Sequence, residues 1–514
     1  MRTHARGGTP CGGGGLAALL GLLLLAAAAT TRAAAIHGHA TPGPTPPGTN
    51  GAGIHREALS TSENPAALGN NGAFLFHLCA VKARGAPPPP QVTRALDPLH
   101  HYLHQPSPRL SSPRALWPRT EWLGPALPDG CRHVGRVGHK TVHCSGANLT
   151  QIPDLSLERN VDALVFSGTG IQVVGDVQRL PRSVRALTFS EGPLVTFNGL
   201  RLYQISGLDF LSLEHNTLST WSFVAAFFSP DAPKNASLTT LDLQYNLITY
   251  PPEPMGSNQS VLPLLETLVL SHNPMSNLPG NLFLPLQASR LTHLFLRNCS
   301  LSQFYGSPLQ PVSRIQVLDL SYNPGLSNDE LYELFEPLSE GYLEELYLAN
   351  NNYVTVPTKA LATVSQGLEK LDLHGAAFQC LDNTSFPLLP RLKDLNLMYC
   401  RIALIQAHTF DIFPVLEILH LDGNALITIP REALLPTLKV LTMSDNPRNT
   451  GDEDVSAFTM ERVDFRGMGG LSNASFQGVP LGQVTKEYFN DLHGLLDLRI
   501  TSCKIKYIES FSFV

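Results

Sequence analysis

Charge, tryptophan and long apolar runs are all scarce in this chain of 514 residues. Charged side chains make up 15% of it, the net charge is −6 and only three tryptophans occur. Without a basic excess, neither nucleic acid nor an anionic membrane surface is indicated as a partner. The sequence contains no G-x-S-x-G elbow, no H-E-x-x-H pair, no P-loop and no Rossmann glycine fingerprint, so no enzyme class is indicated. Glu344 and Glu345 come with no partner acid whose spacing would suggest paired-carboxylate chemistry. His100, His101 and His104 sit in a proline-rich stretch that offers no frame for a metal. No catalytic, cofactor-binding or metal-ligating residue is therefore expected.

The longest apolar run, Leu16 to Ala29, spans about 14 residues, where a bilayer needs ~20. Arg2 and Arg6 precede it and Ala33 to Ala35 follow, so residues 1–35 read as a secretory signal peptide. Removing three arginines and no acid would leave a net charge of −9. Six N-x-[ST] sequons, at Asn148, Asn235, Asn258, Asn298, Asn383 and Asn473, agree with passage through the secretory route. We therefore expect a chain that is secreted or held on the outer face of the plasma membrane. No membrane attachment is visible in the sequence. Residues 36–130 carry sixteen prolines, Pro87 to Pro90 among them, and bury too little apolar surface to offset the entropy of ordering. They read as disordered, with Cys79 lacking an obvious partner.

From residue 161 to 514 the sequence repeats. The unit is L-x-x-L-x-L-x-x-N-x-L, with apolar residues at positions one, four, six and eleven and Asn or Cys at nine. Leu208-Leu211-Leu213-Asn216-Leu218 and Leu265-Leu268-Leu270-Asn273-Met275 are clean copies, and openings from Val161 to Leu495 bring the count to about thirteen. Gly168-Thr169-Gly170 falls in one of the repeat turns rather than in a phosphate loop. Alternation within L-x-L marks a short strand, and an inward Asn at position nine can satisfy backbone groups that the bend leaves unpaired. Cys299, Cys400 and Cys503 take that position in their own repeats and read as structural thiols. Phe283, Leu361, Phe386, Phe410, Leu434 and Phe513 lie eighteen residues after an opening residue and predict an apolar spine. Four buried aliphatic side chains contribute roughly 6–12 kcal/mol per repeat. Ordering some two dozen residues costs more than that at about 1–2 kcal/mol each, so repeats must stack to fold.

Two stretches break the period. Ser327-Asn328-Asp329-Glu330 has the form of a capping box before Leu331, Leu334 and Phe335, and predicts a short helix ending near Pro337. Residues 447–494 are irregular, with Met460, Val463 and Phe465 as traces of a degenerate repeat.

The pattern resembles extracellular leucine-rich-repeat proteins, which implies an α/β repeat fold: a horseshoe-shaped solenoid with a parallel β-sheet on its concave face. Residues 131–160 resemble the amino-terminal cysteine cap of that family, which implies a Cys131–Cys144 disulfide, though many such caps carry four cysteines and two are present here. The chain is similar to ectodomains of the chaoptin-like and Toll-like receptor type. Its pattern runs to the last residue without a second cap, which we read as a fragment. The resemblance implies a protein-binding module, engaged in cell-surface adhesion or ligand recognition through the concave face. A secreted matrix protein or inhibitor and a Toll-like receptor ectodomain are the alternatives, and dimerisation stays open. Outward positions five and eight carry aromatics and histidines, His215, Tyr245, His272 and Phe295 among them. Tyr322, Tyr347, Tyr399, His374 and His420 are the candidate ligand contacts, set to one side of the sequon at Asn298.

Overall fold

In a computed structural model, the described residues are 127–134, 140–197, 205–220, 237–249, 262–446 and 464–510, save Asp176, Ile427, Pro480, Gly482, 486–488 and Asn490. The proposed leader, nearly all of the proline-rich segment, Asn235, Asn258, Met460, Val463 and Phe513 lie outside them.

The L-x-L cores become strands of one sixteen-stranded sheet. Its first two strands, Cys131–Val134 and Lys140–Gly146, form an antiparallel hairpin in which Cys131 faces Cys144. The two are joined by a disulfide. The second strand of this cap then pairs in parallel with Val161–Thr169, and every later strand joins in parallel. Register is kept by the leucines: Leu211 pairs with Leu241, Leu241 with Leu268 and Leu294 with Leu318. A one-residue slip would turn that whole row outward, so the buried face sets the pairing. Inward leucines such as Leu268, Leu318, Leu371 and Leu395 are fully buried. Short two-stranded pairs, such as Asn277–Pro279 with Gln303–Tyr305, lie outside this sheet.

Among the described residues, fourteen strands of this sheet follow the cap, one more than the repeat pattern suggests. The additional strand, Asn473–Ser475, pairs with Val440–Thr442 on one side and Asp497–Arg499 on the other, inside the stretch read as irregular. Its repeat opens at Leu471 and places Ala474, Phe476, Val479 and Leu481 inward, all buried. A small Ala474 beside a large Phe476 fills the same space as two leucines, which is why the letter pattern fails while the packing holds. Eighteen residues after Leu471 stands Phe489, buried and 6.2 Å from Phe465 between ring centres. Phe283, Leu361, Phe386, Phe410 and Leu434 are buried in the equivalent places.

The capping box forms as expected. Ser327 Oγ accepts from the Glu330 amide, the Ser327 amide donates to the Glu330 carboxylate, and the helix Asn328–Phe335 follows. Leu331, Leu334 and Phe335 are its buried residues, and Glu336-Pro337-Leu338 continues as a single 3-10 turn.

Where it is asparagine or cysteine, position nine ties its repeat to the one before. Asn424 Nδ2 donates to Leu397 O at 2.8 Å and Leu421 O at 2.9 Å, and its Oδ1 accepts from the Ile402 amide at 3.0 Å. Asn246, Asn273 and Asn446 repeat this arrangement. The three cysteines solve the same problem differently. Cys400 Sγ donates to Leu373 O at 3.2 Å, and the preceding repeat's Phe378 amide goes to the Cys400 carbonyl. Cys299 and Cys503 do likewise with Met275 and Leu481. In all three repeats the residue after the cysteine (Ser300, Arg401 and Lys504) has positive φ, as the turned carbonyl requires. Burial pushes the Cys299 and Cys400 thiols up to about 12, so they stay protonated and unreactive.

Candidate concave-face site

Position eight is left-handed in every one of the fourteen repeats, with glycine at Gly168, Gly375, Gly423 and Gly478 and larger residues elsewhere. Such a conformation costs a non-glycine residue roughly 1–2 kcal/mol. Side chains in this turn row lie over their neighbours. His215, Tyr245 and His272 stack with ring centres 4.1 and 4.0 Å apart, and Asn298 Nδ2 reaches His272 Nδ1 at 2.9 Å. Arg297 covers the Tyr322 ring at 4.4 Å.

Where the following residue is glycine, the side chain lies on its Cα. A Cβ on Gly423 would come within 2.3 Å of the Tyr399 ring, and one on Gly375 within 2.3 Å of Asn350 Oδ1. Gly423→Ala should therefore destabilise the protein by about 2 kcal/mol, combining the left-handed penalty with displacement of Tyr399. Chemical denaturation would measure this. Adding Tyr399→Ala should recover only the part due to contact, leaving the φ penalty of Gly423 at +68°.

Tyr322 and Tyr399 thus belong to the turn row and are not near-neighbours on one patch. Of the other three candidates, Tyr347 is on strand Glu345–Tyr347, His374 lies two residues past strand Lys370–Asp372, and His420 is on strand Ile418–His420, with Asp394–Asn396 paired between the latter two strands. Tyr347 is only 5% exposed, and its hydroxyl donates to Glu345 at 2.5 Å. The His374 amide donates to Asp372 Oδ1 at 2.9 Å, and the ring Nε2 lies 3.0 Å from Asn350 Nδ2. Thr442 donates its only hydroxyl proton to Asp422, so His420 Nδ1, 2.9 Å from Thr442 Oγ1, must carry a proton itself.

Lys370 links the groups, 3.7 Å from Asp394 and 5.4 Å from the centre of the Tyr347 ring. Burial pushes the Asp394 carboxyl above its usual range, Lys370 and His420 pull it back, and Asp372 and Glu345 push it further up. The result is an acid-rich, hydrogen-bonded field with few cations. It can receive cationic and hydrogen-bonding groups and would repel phosphate.

Lys370, Asp394 and Asp422 were absent from the sequence-derived candidates because they occupy positions three and seven, whereas the candidates came chiefly from five and eight. Reading positions three, five and seven together across neighbouring strands would have found them. Of the sequons, Asn148, Asn298, Asn383 and Asn473 are all exposed. Among the described residues no group of three or more His, Cys, Asp or Glu could hold a metal ion, and no helix is long and apolar enough to cross a membrane.

No family model matches the chain. Mouse Tsukushi is 32% identical over 196 residues, covering 37% of this chain and 52% of Tsukushi. Toll-like receptor 3 of Boselaphus tragocamelus is 30% identical over 240 residues, 44% of this chain and 26% of the receptor. Rabbit fibromodulin is 33% identical over 115 residues, 22% of this chain and 67% of the fibromodulin sequence. The chain belongs to the leucine-rich-repeat ectodomain family. It spans about half of Tsukushi and about a quarter of the receptor. The leucine-rich repeats account for the buried positions and set no residue type at the outward ones.

Proposed function

We propose that this leucine-rich-repeat chain works outside the cell and binds a protein partner through the concave face of the repeats opening at Leu343, Leu368, Leu392 and Leu416. The supporting observation is that neighbouring strands bring Tyr347, His374 and His420 beside Glu345, Lys370, Asp372, Asp394 and Asp422, each candidate hydrogen-bonded locally and Lys370 paired with Asp394. The surplus of carboxylates there favours a partner that presents lysine or arginine and disfavours nucleic acid. Adhesion and ligand recognition would use the same surface, and so would a matrix protein or inhibitor. The leader and the sequons support placement outside the cell.

The full chain, made in secretory cells, would be screened against secreted and cell-surface proteins, with a second copy of itself included. Asp394→Arg reverses charge in the middle of the field. Leu388→Arg alters an exposed residue, 61% accessible, away from it. Binding lost with Asp394→Arg and kept with Leu388→Arg is the expected result. The opposite pattern would move the interaction to another face, and fractionating cells into medium and membrane would separate a matrix role from a surface-held one.

A further inference from the structure

We propose that Asn298 carries an N-linked glycan and that this glycan covers the ring ladder His215–Tyr245–His272. The ladder presents ring edges at three successive repeats, and Tyr245 remains 40% exposed. It ends on the sequon itself, because Asn298 Nδ2 donates to His272 Nδ1 at 2.9 Å. An amide nitrogen only donates, so His272 Nδ1 is the acceptor and the imidazole proton sits on Nε2.

The sequon is Asn298-Cys299-Ser300. Cys299 is fully buried, while Asn298 and Ser300 are exposed with φ of 52° and 57°. Both ends of the tripeptide thus face solvent once the chain is folded, and transfer to the unfolded chain precedes burial of the cysteine. The donor is a polyprenyl pyrophosphate-linked oligosaccharide. Nδ2 bonds to C1 of the first sugar, the bond from C1 to the pyrophosphate oxygen breaks, and one Nδ2 proton is released, with nothing oxidised or reduced. Nδ2 keeps its second hydrogen and so remains a donor beside His272. The first sugar is thereby held beside the ladder, where its hydroxyls and acetamido group meet the Tyr245 hydroxyl and imidazole edges and its C–H groups meet the ring edges.

Stacking offsets the cost of this row only in part. His215, Tyr245 and His272 all carry the backbone penalty of a left-handed non-glycine residue, and two stacked ring pairs are fewer than the three residues that bear it. A sugar lying over the rings supplies a further contact. The inference is independent of the concave-face reading, since it concerns the turn edge of earlier repeats.

Secreted full-length protein would be treated with peptide N-glycosidase in heavy-oxygen water and the Asn298 peptide weighed. Label at Asn298 in most molecules is expected, and an unmodified Asn298 would overturn the proposal. The cover is tested by the rate at which diethyl pyrocarbonate modifies His215. Ser300→Ala removes the sequon but keeps Asn298 and its bond, and Ser300 makes no side-chain hydrogen bond among the described residues. His215 should react severalfold faster in Ser300→Ala than in the wild type. Equal rates would overturn the cover.

Discussion

Asn424→Ala is expected to unfold the middle of the repeat array at a clearly lower denaturant concentration than wild type, at a cost of about 3 kcal/mol. The substitution leaves the buried Leu397 carbonyl and Ile402 amide without the bonds that Asn424 supplies, while Leu421 O keeps its bond from Asn446. Each buried polar group left unsatisfied costs roughly 1–3 kcal/mol. Asn424→Cys should fall between the two proteins. A thiol can still donate, as Cys400 does to Leu373 O, but it cannot accept from the Ile402 amide. In the native cysteine repeats the backbone carbonyl takes over, and it can turn only because the next residue is left-handed. Here that residue is Ala425, which resists positive φ. The double variant Asn424→Cys, Ala425→Gly should therefore be more stable than Asn424→Cys alone, against the usual effect of adding glycine to a chain. If the second change destabilises further, the carbonyl exchange is not what makes cysteine acceptable at this position.

The same pair of solutions shows what the sequence reveals and what it hides. Asn and Cys at position nine, and Leu at one, four, six and eleven, face a slot of nearly constant size and polarity. Few residue types fit, so the letters mark the fold. At Leu471 the slot is filled by Ala474 with Phe476, and Val479 replaces the asparagine, so the letters fail although the slot is the same. Phe489, eighteen residues on, was the remaining trace. The spine asks only for a bulky apolar group and survives when the strand signature does not.

Outward positions face no such slot. Tyr322, Tyr347 and Tyr399 look alike in sequence, yet the structure gives one an arginine, one a glutamate and one a glycine backbone to lie on. Position eight looked like a binding row because aromatics recur there. Its left-handed backbone and its habit of leaning on the next repeat give those aromatics a structural use first. The charged field around Asp394 depends on which residues stand side by side on neighbouring strands, some two dozen positions apart in sequence, and single-repeat inspection does not show it.

Stability should also depend on pH through Asp242, and Asp242→Asn should abolish most of that dependence. Asp242 stands on the sheet between Ser212 and Val269 and is 3% exposed. Burial pushes its carboxyl up to about 7, opposed by hydrogen bonds from the backbone and side chain of Gln244 and helped by the nearby charge of Glu214. Gln244 Nε2 bridges the two acids, at 3.2 Å from Asp242 Oδ2 and 2.9 Å from Glu214 Oε2. The folded state thus favours the neutral acid, while the unfolded chain releases the proton near 3.8. The unfolded state binds fewer protons throughout this interval, so stability is full below about 3.8 and falls as pH rises through about 7. The loss levels off above that point at on the order of 4 kcal/mol. Asparagine is neutral in both states and cancels the slope. It also gives up acceptance from Gln244 Nε2, a fixed penalty that shifts the whole curve without changing its shape. Urea titrations at pH 5, 6, 7 and 8 should show the wild type losing stability relative to Asp242→Asn at each step up to about 7. Parallel curves would mean that Asp242 ionises in the fold as readily as in water, and that Gln244 and the surrounding solvent carry its charge without cost.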